Sequence, residues 1–121
     1  MKRVILVGDS IRKGYREVVA RELSGLAEVW SPDGNCKDSR SVLHNLEEWV
    51  ISRRPDVLHL NCGLHDIKTD FGGEDTAVSL DDYGSNLRAI CRLLNGLDGC
   101  TAIWAATTPV WLDPRKLVHC E

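Results

Sequence analysis

Gly8-Asp9-Ser10 places a hydroxyl directly after a short apolar run, Val4 to Val7. If that run is a strand and a helix follows it, the hydroxyl projects at the strand's carboxyl end. Backbone N–H groups at a helix start stabilise negative charge. Ser10 is therefore placed to attack an acyl carbon while nearby donors hold the charge that develops. The plainer alternative is a helix cap, a role that Ser and Asp both favour. A second polar group, Gly63-Leu64-His65-Asp66, follows another apolar run, Val57 to Leu60. A ring N–H of His65 could donate to an oxyanion. Packing at a loop corner is an equally ordinary use of a histidine there.

These residues need elements to position them. Val4-Ile5-Leu6-Val7 is rich in β-branched residues and stopped by Gly8, as in a strand buried on both faces. From Gly14 to Leu26, the residues Val18, Val19, Leu23 and Leu26 recur at helical spacing between charged neighbours. Ala27 to Trp30 can form a second strand, followed by the turn residues Ser31-Pro32-Asp33-Gly34-Asn35. A second helix is predicted from about Ser39 to Arg53, with Val42, Leu43, Leu46, Trp49 and Val50 as its stripe and Pro55 as its stop. Val57 to Leu60 is a third strand. Lys68 to Ser79 reads as a long loop. Ser79-Leu80-Asp81-Asp82 resembles a capping box and opens a third helix, which Asn95-Gly96 closes. A fourth strand covers 101–106, with Trp104 expected in the core. The order β-α-β-α-β-α-β predicts an α/β fold, a three-layer α/β/α flavodoxin-like parallel sheet. Strand one should lie between strands two and three, with strand four beyond strand three. Ligands of such sheets bind outside the carboxyl ends of the strands. Asp9-Ser10, Asn35 to Arg40, His65-Asp66 and Thr107-Thr108 all fall on that rim.

Composition excludes several classes. The chain has 121 residues, 27% charged and 43% apolar, which suits one globular domain. Fifteen Lys and Arg against eighteen Asp and Glu give a net charge of −3. That argues against nucleic acid or an acidic membrane as partner. No apolar run reaches the ~18 residues of a membrane span. Val4 to Val7 is shorter than the ~7–15 residues of a signal-peptide core. A cytoplasmic location is the expectation. The five cysteines, Cys36, Cys62, Cys91, Cys100 and Cys120, show no C-x-x-C pair. They read as free thiols rather than a zinc site or a disulfide framework.

Taken together, the rim motifs resemble those of the SGNH, or GDSL-type, hydrolases. Gly8-Asp9-Ser10-Ile11 is similar to the first block of that family. Asn35-Cys36-Lys37-Asp38-Ser39-Arg40 sits where the second lies, and Gly63-Leu64-His65-Asp66 resembles the third, usually Gly-x-Asn-Asp. Thr107-Thr108-Pro109 is similar to the loop after the fourth strand. The resemblance implies that Ser10 is the nucleophile and that its own N–H serves an oxyanion hole. It implies that Lys37, in place of a glycine, and His65, in place of an asparagine, complete that hole. Asp9, Gly63 and Asp66 would support the loops. It implies no metal and no organic cofactor, and a small-molecule ester as substrate, such as an acylated carbohydrate.

The family's general base sits in an Asp-x-x-His motif after a fifth strand. Asp56-Val57-Leu58-His59 matches in letters only, because residues three apart in a strand face opposite ways and lie ~10 Å apart. His119 follows Lys116 at that spacing, and His44 has no acidic partner. Residues 1–121 therefore read as one SGNH-like domain with four strands of an expected five, incomplete at its C-terminus and inactive alone. The alternative is a non-catalytic α/β binding or interaction module derived from that fold. An apolar strand at 101–106 with nothing to cover it would invite self-association.

Overall fold

The computed structural model describes residues 1–69 and 75–109. Strand β1 (Lys2–Val7) leads into helix α1 (Ser10–Glu22), then β2 (Ala27–Trp30), α2 (Ser39–Trp49), β3 (Val57–Leu60), α3 (Leu80–Asn95) and β4 (Thr101–Trp104). The sheet order is β2-β1-β3-β4. All three pairings are parallel, with Ile5 beside both Trp30 and Leu58, and Leu58 beside Ala102. This is the predicted arrangement. It sets the carboxyl ends of β1, β2 and β3 along one rim.

The core lies between the sheet and the pair α2 and α3. Ile5 and Val7 of β1 and Leu58 and Leu60 of β3 meet Val42, Leu46 and Val50 from α2 and Ile90 from α3. Alternation along each strand sends these residues to one face. The other face carries α1, where the Tyr15 ring meets His59 edge-on at 5.9 Å between centroids. Helices on both faces give the three layers.

Helix boundaries follow their caps. Asp38 accepts from the Ser41 N–H and starts α2, while Ser79 accepts from Asp82 and starts α3. Helix α1 departs from its predicted span of Gly14 to Leu26. Asp9 caps it through the Ile11 N–H, so it begins at Ser10, and it ends at Glu22. Gly25, at φ +83°, then turns the chain into β2. Leu26 is left exposed and Val18 half-exposed, so only part of the expected stripe is used. Helix α2 stops at Trp49 and passes through a 3-10 turn, Ile51–Arg53.

Strand β4 is shorter than 101–106 and is not a core strand. Ile103 is 46% exposed and Trp104 43%. The predicted burial of Trp104 is therefore corrected. β4 is the sheet's edge among the described residues, so its apolar side chains have neighbours on one side only. Cys36 and Cys62 are buried free thiols, Cys91 is exposed and Cys100 partly so. Cys120, His119 and the stretch after Pro109 lie outside the described residues, as does the Gly72-Gly73 part of the long loop. No helix of the described residues is long and apolar enough to cross a membrane.

Candidate active site

The rim is assembled by backbone bonds between neighbouring loops. The Cys36 N–H donates to the Gly8 carbonyl at 3.1 Å, tying the loop after β2 to that after β1. The Asn61 N–H donates to Val7 at 3.0 Å, and Ala105 donates to Leu60 at 2.9 Å. The Asn61 amide then reaches the Ala105 carbonyl at 2.6 Å and Thr107 Oγ1 at 3.3 Å. Four loops thus share one rim. Two glycines permit the close approach. A Cβ on Gly8 would stand 2.7 Å from Arg12 Cβ, and one on Gly63 would stand 2.3 Å from Thr107 Oγ1.

Ser10 is the first residue of α1, and its side chain is exposed at the rim. Asp9 beside it is buried. One of its carboxylate oxygens caps the helix at 2.9 Å, and the other has no partner among the described residues.

Lys37 has φ +62°. That is the left-handed region, which disfavours a side chain by about 1–2 kcal/mol. The loop thus takes a glycine-like conformation where this chain carries lysine. The Lys37 N–H donates to Asn35 Oδ1 at 2.8 Å, and Asn35 Nδ2 lies 3.4 Å from His65 Nε2. Asn35 therefore joins the two proposed arms of the hole.

Asp66 is buried beneath His65. Its carboxylate accepts from the Ser39 N–H at 3.0 and 3.1 Å and from the Ser39 hydroxyl. Ser39 is the first residue of α2, and its hydroxyl also accepts from Asn86 Nδ2 at 3.0 Å. Asp66 thus fastens the loop after β3 to α2, and through Asn86 to α3. Burial pushes its carboxyl above the ordinary aspartate range, and the Ser39 hydrogen bonds pull the other way. Asp38 behaves oppositely. Burial would raise its pKa, but the Arg40 guanidinium and the Ser41 N–H outweigh burial and hold it low. The thiols near the rim stay protonated. Burial, helped by the Asp66 carboxylate, pushes Cys62 up to about 12. Burial also raises Cys36. Ser10 has no thiolate competitor there.

Sequence reading missed Arg12. Its side chain is 1% exposed. The guanidinium donates to the Gly8 carbonyl at 3.2 and 3.3 Å, Ser31 Oγ at 2.8 Å, the Pro32 carbonyl at 2.6 Å and the Gly34 carbonyl. It is the post around which the loops after β1 and β2 close. A signal existed, because Arg12 lies three and seven residues before Tyr15 and Val19, on the helix face that meets the sheet.

The remaining histidines lie elsewhere. His44 is exposed on α2, and His59 points from β3 to Tyr15 Oη, 3.4 Å from its Nδ1. Asp56 accepts the Arg3 N–H at 2.8 Å at the opposite end of the sheet. Among the described residues no three His, Cys, Asp or Glu side chains cluster as metal ligands would.

No protein-family model matches the chain, and no curated protein sequence does. Solved structures do. An acetyl xylan esterase, AlAXEase, superposes with a TM-score of 0.71 at 19% identity over 84% of this chain and 56% of its own. The chain has the fold of the GDSL-type hydrolases. A catalytic mutant of Axe2, an acetylxylan esterase from Geobacillus stearothermophilus, gives a TM-score of 0.68 at 22% identity, over 85% and 58% of the two chains. A GDSL-like lipase from Bacteroides thetaiotaomicron gives 0.64 at 19%, over 85% and 47%. The chain spans about half the length of these proteins.

Proposed function

We propose that the chain carries the nucleophile half of an SGNH-type serine esterase acting on small acyl esters, with acylated carbohydrates as the substrate class. Ser10 Oγ attacks the ester carbonyl carbon, and the carbonyl oxygen becomes an oxyanion. The Ser10 N–H, with Lys37 and His65, lines the hole that holds it. Collapse expels the alcohol and leaves an acyl group on Ser10, which water then removes. Asp9, Gly63 and Asp66 hold the loops in place. The observation that carries this reading is the rim itself. It holds an exposed serine at a helix start, and the loops carrying the glycine-like Lys37 turn and His65 leave the same ends of neighbouring parallel strands.

In this reading residues 1–121 are part of a longer domain, and the base that takes the Ser10 proton lies outside the described residues. General-base help is typically worth ~10²–10⁴-fold. A specific observation favours a second reading, a non-catalytic module. Among the described histidines, His44 is exposed on α2, His59 faces Tyr15, and His65 is engaged with Asn35.

Three proteins separate the readings in p-nitrophenyl acetate hydrolysis: this chain, a longer chain bearing an Asp-x-x-His loop after a fifth strand, and that longer chain with Ser10→Ala. The esterase reading predicts turnover by the second protein alone. A longer chain as inactive as the short one, though folded, supports the module.

A further inference from the structure

Asn35 opens the second rim motif, and its side chain sits between Lys37 and His65. The Lys37 N–H can only donate, so the atom that faces it at 2.8 Å must be the amide oxygen. The network therefore fixes the orientation of the amide. Nδ2 is left facing His65 Nε2 at 3.4 Å. An amide nitrogen has no lone pair to offer, so a hydrogen bond across this gap requires Nε2 to accept and the ring proton to sit on Nδ1. His65 Nε2 is then no donor. The amide has two N–H bonds. One serves His65, and the second has no acceptor among the described residues.

We infer that Asn35 supplies the carboxamide donor of the oxyanion hole, with His65 holding it from behind. This rests on the esterase reading above and reassigns both loop arms of its hole, because the Lys37 N–H is already given to Asn35 Oδ1. The loop geometry favours it. The neighbouring Cys36 N–H is bonded to Gly8, two residues before Ser10, so Asn35 is anchored to the backbone that leads into the nucleophile. Lys37's left-handed turn is what folds its N–H back onto Asn35 Oδ1. The 3.4 Å contact is long, as hydrogen bonds in unliganded sites often are.

Asn35→Asp is the test. The aspartate keeps an oxygen for the Lys37 N–H, so the turn is retained, but it offers His65 an acceptor in place of a donor. Long-range 15N–1H spectra of this chain, at mildly alkaline pH where an imidazole is neutral, should show the His65 proton on Nδ1. In Asn35→Asp it should move to Nε2. In the longer, active chain, Asn35→Asp should lower kcat at least ~100-fold with KM little changed, as loss of an oxyanion donor does. A proton on Nε2 in the unaltered chain overturns the inference. So does an unchanged kcat in Asn35→Asp while Ser10→Ala abolishes turnover. If Ser10→Ala also leaves the rate unchanged, the esterase reading itself has failed, and the tautomer result still judges the Asn35 geometry.

Discussion

Arg12 is the residue on which most of the rim depends. Its guanidinium is the partner of two carbonyls in the loop after β2, one after β1, and the Ser31 hydroxyl. Removing a buried, fully used charged donor leaves those acceptors unpaired, and such losses run to ~3–5 kcal/mol. Arg12→Ala should therefore lower the urea midpoint by that equivalent. Arg12→Lys should recover little, because an ammonium cannot reproduce the planar fork. A loss below ~1 kcal/mol in either variant contradicts the account. Lys37 carries the opposite expectation. Lys37→Gly relieves ~1–2 kcal/mol of left-handed strain and returns ~0.5–1 kcal/mol through the freer unfolded chain. Its stability should be unchanged or slightly higher, and a clear loss would mean that the lysine side chain is itself held. Ser10, His65 and Asp66 were legible because serine, histidine and aspartate after apolar runs announce chemistry. The positive φ of Lys37 was hinted at only by its standing where the resemblance has a glycine. The Asn35 contact was not legible, because it reaches a residue thirty positions away.

At the scale of elements, the period of the apolar residues carried the reading. α2 and α3 bury one stripe each and begin at Asp and Ser caps, so both starts were legible. The start of α1 was legible only as the helix-cap alternative for Asp9 and Ser10, because Arg12 breaks the apolar face between them and Gly14. β4 has the strand's composition but not its burial, since pattern cannot tell an interior strand from an edge. Trp104→Ala should thus fall short of the ~3–5 kcal/mol of a buried aromatic, while Leu46→Ala should reach ~2–5 kcal/mol. Equal losses in denaturant would show that Trp104 is packed after all. Asp66, which joins the β3 loop to α2, gives a signed pH effect. Its folded pKa is raised by burial despite the Ser39 bonds, so the folded state binds the extra proton. Its contribution is greatest below the unfolded aspartate pKa and declines as pH rises through the elevated folded value. The stability of this chain minus that of Asp66→Asn should therefore fall with rising pH across that window. A difference that rises would place the Ser39 bonds above burial.

For the whole molecule, we propose that the sheet presents Ser10 as an acyl acceptor and that its base sits in an Asp-x-x-His loop that residues 1–121 do not contain. The 121-residue chain should then hydrolyse p-nitrophenyl acetate little faster than buffer. The exposed Ile103 and Trp104 on β4 also predict association. Sedimentation should be concentration-dependent and should become monomeric in Ile103→Lys, since a charge on an edge strand opposes pairing. The most direct measurement is where the acyl group goes. The longer chain, mixed with p-nitrophenyl acetate and quenched in acid during turnover, should yield peptides of which one carries an acetyl group. After tryptic digestion that peptide should span Val4 to Arg12, and fragmentation should place the acetyl on Ser10. Turnover with the acetyl on any other residue, or with none on Ser10 while Ser10→Ala remains active, would contradict this account.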